Sequence, residues 1–339
     1  MTDISLSSLS VAVLLPCYNE EKTIAGVVAG FRAALPGARI LVYDNNSSDL
    51  TALKARAAGA IVIREPRQGK GNVVRRMFAD IDADIYVMAD GDGTYAPEDA
   101  PLLINTLLTE HADMAVGTRR GVTDDAGRAG HAIGNRLFNA LYHRLFGRGF
   151  TDIFSGYRAF TRRYVKSFPA LSGGFEIETE MSVHASVLKI PVVEIALDYG
   201  RRVEGSASKL STWKDGARIL WMFAMLMKET QPFRFFGLIG LSVAAASLAL
   251  MVPVLVEFAE TGLVPRMPTW MLSIGLLVMA MLLGATGLIL DSVARGRTEQ
   301  KRMVYLSFGP ARAEPLRLGA LAPDAAARDS VAPIRRAAG

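Results

Sequence analysis

Two stretches near the C-terminus constrain this chain most. Phe235 to Val256 and Trp270 to Leu290 contain no charged residue. Each is about 20 residues, the length a helix needs to cross ~30 Å of hydrocarbon. Pro253, near the end of the first, predicts a kink that membrane helices tolerate. The competing reading is a pair of buried core helices, which usually keep a polar face. Lys228 and Arg234 precede the first run, and Arg295, Arg297, Lys301 and Arg302 follow the second. The connection from Glu257 to Thr269 has only Arg266 as a base. The positive-inside rule then predicts a multi-pass protein of the cytoplasmic membrane with both ends in the cytoplasm. The opening "MTDISLSSLS" lacks the basic and apolar regions of a secretory signal.

The chain has 339 residues and a formal net charge of +5. Its arginines are dispersed or lie beside the apolar runs, which favours anionic lipid or a phosphorylated ligand over nucleic acid. The single Cys17 excludes an internal disulfide and a multi-cysteine metal site.

Residues 1 to about 230 alternate between strand-like and helix-like segments. Short apolar runs are expected as strands at Val11–Tyr18, Arg39–Asp44, Ala60–Glu65, Ile85–Asp90 and Asp113–Thr118. Helical stretches include Glu20–Leu35 and Pro97–Glu110, the second opened by Pro97 with Glu98 and Asp99 favouring its dipole. This is an α/β pattern: a mixed, mostly parallel sheet with helices on both faces. Ligands of such sheets bind beyond the carboxyl ends of the strands. Residues 130–150 place Ile133, Leu137, Leu141 and Leu145 on one stripe with Arg136, His143, Arg144 and Arg148 nearby. That suits a membrane-interface helix or an ordinary helix packed on the sheet. A second amphipathic stretch, Trp213–Met227, leads to the first apolar run, and the tail 310–339 reads as disordered. The expected domains are 1–230 and a membrane domain at 231–309, with its helices near 235–256 and 270–290.

The chemistry concentrates at strand ends. Asp90-Gly91-Asp92 follows an apolar run, and two carboxylates there suit a hard cation, Mg²⁺ or Mn²⁺, that keeps waters and takes phosphate oxygens. The alternative is a solvated turn. "LLPCYNEEKTI" passes from strand to helix through Pro16, Tyr18, Asn19 and Glu20, where Asn19 could simply cap the helix. Asp44 ends the next strand and could accept hydrogen bonds from a base or ribose.

Together these segments resemble the family-2 glycosyltransferases with the GT-A fold, from Val11 to about Leu220. The resemblance implies a nucleotide site at Pro16, Tyr18, Glu20, Asp44, Asp90 and Asp92, with the acid pair holding the metal. "RQGKGNVVRRMF" resembles the family's basic, Gly-containing segment, which puts Gly69, Lys70 and Gly71 beside the nucleotide; a free surface lysine is the alternative for Lys70. The chain is most similar to polyprenyl- and dolichyl-phosphate sugar synthases, including bacterial glucosyl-type members with paired C-terminal spans. "VGTRR", "GNRLFN", "TDIFSGYRAF", "GGFEIETEM" and "YGRRVEGSASKLSTWKDGARIL" carry that likeness. It implies that Arg119 and Arg136 face an acceptor phosphate, that Arg202, Ser208 (or Ser206) and Lys209 face a donor diphosphate, and that Ser155 faces the acceptor or the diphosphate, with Asp152 and Gly156 in the pattern. Thr94 stands where archaeal mannosyl relatives carry Gln. No Gln-x-x-Arg-Trp motif of processive synthases occurs.

The expected reaction is metal-dependent, inverting transfer of a hexose from a nucleotide diphosphate sugar, UDP preferred over GDP, to a polyprenyl phosphate. A lipid monophosphate is largely ionised near neutrality and needs alignment rather than a base. Glu176 and Glu178 stay open between a base role and stabilisation of a helix start. A lipid hydroxyl acceptor and a silent nucleotide-binding scaffold are the other readings. The family likeness is also compatible with a homo-tetramer.

Overall fold

The computed structural model describes residues 9–120, 140, 142–147, 149–174, 176–200, 221 and 223–311. Seven strands form one sheet: β1 (Val11–Cys17), β2 (Arg39–Asp44), β3 (Ile61–Arg64), β4 (Ile85–Met88), β5 (Met114–Arg120), β6 (Arg158–Thr161) and β7 (Val192–Asp198). Their order is β3-β2-β1-β4-β6-β5-β7. All neighbours run parallel except β6, which is antiparallel to both β4 and β5.

The strands β1 and β4 are buried along their whole length, as uninterrupted apolar runs require when both faces are covered. Alternate residues go to opposite faces. Ala12 and Leu14 join one apolar cluster, with α3 (Lys70–Asp80), α5 (Arg162–Ser167) and α6 (Ile177–Leu188). Val11, Val13 and Leu15 join the other, with α1 (Ile24–Ala34), α2 (Thr51–Ala57) and α4 (Ala100–Thr109).

Element boundaries shift from the sequence expectation by a few residues. The chain after β1 turns before α1 starts at Ile24, and Pro97–Asp99 is a separate 3-10 turn ahead of α4. Asn19 does not cap α1. It has φ 54° and its Oδ1 accepts the Ser48 N–H at 2.8 Å, which ties the β1 and β2 loops together.

Strands β6 and β7 were not expected. Arg158, inside β6, and Glu194, inside β7, interrupt the apolar pattern that marks a buried strand. Arg158 is fully buried because its guanidinium is spent internally: it donates to Ser155 O, Ile153 O and Ser182 Oγ at 2.8–3.1 Å. Of the expected interface helix, residues 142–146 are described and helical. Tyr142 is fully buried and its hydroxyl donates to Ser182 O at 3.0 Å, so this part packs on the domain.

The apolar runs lie in two long helices, α7 (Pro232–Thr261) and α8 (Met267–Leu306), each long and apolar enough to cross a membrane. The α7 helix continues through Pro253. Apart from Pro232 and Tyr305, the buried positions of both recur every seventh residue: Gly240, Ser247 and Val254 on α7, Ser273, Ala280, Gly287 and Ala294 on α8. Small residues let the backbones approach, and Ser247 Oγ donates to Ser273 O at 2.6 Å.

Candidate active site

The strand order reverses at β1, with β2 on one side and β4 on the other, so a crevice is expected beyond the carboxyl ends there. Asp44 ends β2, Asp90 lies just past β4, and Arg119 is near the end of β5. Because β6 is antiparallel, its start lies at this same edge: Arg158 pairs with Met88. The turn 152–157 therefore joins the site.

The α3 and α6 N-termini meet beside it. Gly71 permits the approach, since a Cβ there would stand 2.1 Å from Ser172 O, and Gly71 N donates to Gly174 O at 3.1 Å. This brings Lys70 and Glu178 together. The Lys70 ammonium bridges Asp90 Oδ1 and Glu178 Oε1, each at 2.5 Å, with 9% of the side chain exposed. The free-surface alternative for Lys70 is thereby removed. Burial would lower the Lys70 pKa, but the charges of Asp90 and Glu178 outweigh it and hold the ammonium protonated. Burial raises the Glu178 carboxyl; Lys70 opposes that rise and Asp90 adds to it. Glu178 Oε2 is buried with no hydrogen-bond partner. Glu178 sits in the first turn of α6, so its helix-start position and its ion pair coexist. Glu176 precedes the helix and is half-buried.

Arg119 is held on the other side. Its Nε and Nη2 donate to Asp152 Oδ2 and Oδ1 at 2.8 and 2.9 Å, a bidentate pair. Burial would raise the Asp152 carboxyl, but those bonds outweigh it and hold it below the usual carboxylate range. A guanidinium has five N–H donors, and Asp152 takes two of them. Arg119 also lies over the Tyr199 ring, 5.7 Å from its centroid.

Aromatic contacts link the two charged groups. Tyr199 meets Tyr95 edge-on at 5.3 Å, and the two residues form an isolated antiparallel bridge. The Tyr95 hydroxyl accepts the Gly156 N–H at 2.9 Å. Gly156 in turn is tight against the triad: a Cβ there would be 2.9 Å from Asp90 Oδ2 and 3.2 Å from Lys70 Nζ. Arg119, Tyr199, Tyr95, Gly156, Asp90, Lys70 and Glu178 thus form one continuous wall.

Other expected residues sort as follows. Pro16 is buried within β1, and Tyr18 and Glu20 are half-buried in the turn that follows. Asp44 Oδ1 accepts the Ser47 N–H at 3.3 Å. Ser155 is fully buried and its hydroxyl donates to Gly117 O at 2.5 Å, which fastens the turn to β5. Asp92 is buried, and its Oδ1 accepts from Thr94 N and Thr94 Oγ1 at 3.1 and 2.6 Å. His143 and His184 serve the framework: His143 Nε2 meets Phe150 O, and His184 Nε2 meets Ser167 Oγ. Arg136, Arg202, Ser208, Lys209, His131 and Trp213 lie outside the described residues.

Among the described residues, no group of three or more His, Cys, Asp or Glu side chains is placed to hold a metal. Two carboxylates at a strand end still fit Mg²⁺ or Mn²⁺, because such ions keep waters and take the remaining oxygens from phosphates.

Sequence reasoning missed the pairing of Lys70 with Glu178, the support from Tyr95 and Tyr199, and Asn45. Asn45 donates to Glu65 O and Arg67 O and accepts from Gly69 N, stitching β2 and β3 to the start of α3. Only the Asn-Asn pair after a strand hinted at that last role.

The model of "Glycosyl transferase family 2" matches residues 12–168. Glycosyltransferase AglJ of Haloferax volcanii is 36% identical over 251 residues, covering 74% of this chain and 82% of that protein. Dolichol-phosphate mannosyltransferase of Pyrococcus furiosus is 25% identical over 257 residues, covering 69% of each. Among solved structures, glucosyl-3-phosphoglycerate synthase from Mycobacterium tuberculosis with Mn²⁺ and UDP-glucose superposes with TM-score 0.52 and 25% identity. It covers 66% of this chain and 79% of that one.

Proposed function

We propose, for a chain that belongs to glycosyl transferase family 2 and has its GT-A fold, that the sugar it transfers goes to a polyprenyl phosphate. A hexose would come from a nucleotide diphosphate sugar, with UDP preferred. The glycosyltransferase activity itself follows from family membership; acceptor, donor and metal are the proposal.

One observation carries the acceptor reading. Arg119 is fixed by Asp152 and Tyr199 at the sheet edge that also carries Asp90, with guanidinium donors left over for a phosphate. The dolichol-phosphate mannosyltransferase relative supports a lipid-phosphate acceptor. The UDP-glucose and Mn²⁺ complex of the mycobacterial neighbour supports the donor and the cation.

In this reading a phosphate oxygen of the lipid attacks the anomeric carbon in line. The bond from that carbon to the diphosphate breaks, and the nucleoside diphosphate leaves with its electron pair. One displacement inverts the anomeric centre. Arg119, with Arg136, would hold the acceptor, and Arg202, Ser208 and Lys209 would face the donor diphosphate. Pro16, Tyr18, Glu20 and Asp44 would frame the nucleoside. Lys70 would keep Asp90 and Glu178 in place beside the sugar. When bound at Asp90 and Asp92, a divalent cation supplies charge compensation for the departing diphosphate.

The two apolar helices would cross the cytoplasmic membrane as a hairpin. The domain at 1–230 would then stand in the cytoplasm and 231–309 would anchor it. The test is a panel of nucleotide sugars with polyprenyl phosphate and metal, read as product mass in the lipid phase. A hexosyl phospholipid is the expected product. Products formed only on a lipid hydroxyl would overturn the acceptor assignment.

A further inference from the structure

We propose that the end of α8 beyond the apolar run is a strut that fixes the height of the active site over the bilayer, with Tyr305 as its positioning residue. This rests on the lipid-phosphate reading above. The apolar run ends at Leu290, but α8 continues unbroken to Leu306. At 1.5 Å per residue that is roughly 24 Å of rigid helix. A tether would need no such rigidity.

The last turn of the strut is locked into the catalytic domain. Tyr305 is 4% exposed, and its hydroxyl donates to Asp113 Oδ2 at 2.5 Å. Asp113 is fully buried. It also accepts Arg163 Nε and Nη2 at 2.5 and 2.7 Å, and Thr161 Oγ1 at 2.7 Å. The guanidiniums of Arg163 and Arg302 lie over the Tyr305 ring, 4.8 and 4.9 Å from its centroid. Arg302 Nη1 also donates to Leu188 O at 3.2 Å, at the end of α6. One helix end thereby grips β5, α5 and α6, and α6 is the helix whose first turn carries Glu178.

Asp113 immediately precedes β5, and Arg119 lies near that strand's other end. The strand is bonded to β7 from Met114 to Arg120 and to β6 at Met114–Val116, so its length is held in the sheet. From Asp113 to Arg119 it spans roughly 20 Å at 3.3 Å per residue. On this proposal the helix sets the distance of Asp113 from the bilayer, and β5 carries that setting on to Arg119. The acceptor phosphate cannot leave headgroup depth, and misplacement by about 1 Å can cost about 100-fold in rate.

The test uses full-length protein in lipid nanodiscs. Tyr305→Ala should lower transfer to embedded polyprenyl phosphate about tenfold or more, while transfer to a short, water-soluble prenyl phosphate stays within about twofold of wild type. Tyr305→Phe keeps the ring contacts and loses only the hydroxyl, so it should fall between; it decides the matter if Tyr305→Ala does not fold. Equal losses on both acceptors, or no loss on either, would overturn the strut. A second readout needs no turnover. A dye on Leu53→Cys, an exposed position of α2, reports distance to headgroup dyes by energy transfer. The wild type should give one narrow distance and the Tyr305 variants a shifted or broadened one; an unchanged distance overturns the proposal. If wild type makes no lipid product with any donor, the functional reading fails, and this distance alone judges the strut.

Discussion

Glu178 poses the sharpest question at the level of single residues, because one carboxylate serves an ion pair and leaves an oxygen buried and unpartnered. Acting as a general base, it would contribute about 10²–10⁴-fold. An ionised phosphate acceptor needs no base. Glu178→Gln keeps an oxygen for Lys70 and should cost less than about tenfold in kcat on polyprenyl phosphate; a loss within the general-base range would favour a hydroxyl acceptor. Lys70→Met would leave the buried Glu178 and the half-exposed Asp90 without their cation. Unpairing a buried charge costs about 3–5 kcal/mol, so a clear fall in melting temperature is expected, read by thermal unfolding in detergent. Asp152 gives a pH signature. Its folded pKa is depressed by Arg119, so its contribution is present above the ordinary carboxylate range and lost as pH falls through the folded value. The stability gap between wild type and Asp152→Asn should therefore be constant from pH 7 to about 5 and shrink below about pH 4. A gap that grows on acidification would contradict the pair.

Elements differ in how readily the sequence reveals them, and the reason is burial pattern. The strands β1, β2 and β4 are apolar along most of their length and stop at or beside an acid or a turn, so both the strands and the site edge are visible from local residues. Strand β6 hides a buried arginine and β7 alternates with acids, so each looks unlike a buried strand. The meeting of Lys70 with Glu178, and of Tyr305 with Asp113, depends on α3, α6 and α8 converging, which no local spacing encodes. The position of Asp90 and Asp92 just past a strand end was legible because the motif is local. The α7–α8 hairpin offers a test at this scale. A Cβ at Gly240 would stand 3.2 Å from Ala280 O and 3.4 Å from Leu283 Cβ. Gly240→Leu should force the helices apart and lower the melting temperature in detergent, whereas Leu241→Ala, on an exposed position, should leave it nearly unchanged. Equal effects would mean the seven-residue seam does not hold the pair.

Seen whole, the molecule is a sugar-transferring sheet whose ligand edge, on the reading proposed, is held at a fixed station above a membrane hairpin. The wall from Arg119 to Glu178 places guanidinium, ammonium and carboxylates along one edge, as an anionic donor and an anionic acceptor would require. The most direct measurement is transfer by the purified full-length enzyme, supplied with polyprenyl phosphate, UDP-hexoses and Mn²⁺ or Mg²⁺, with and without a chelator. The account predicts a lipid product heavier than the acceptor by one hexose, inverted at the anomeric carbon and lost on chelation or in Asp92→Asn. Sugar found only on a hydroxyl lipid, or a phosphate-linked product that persists without metal, would contradict it.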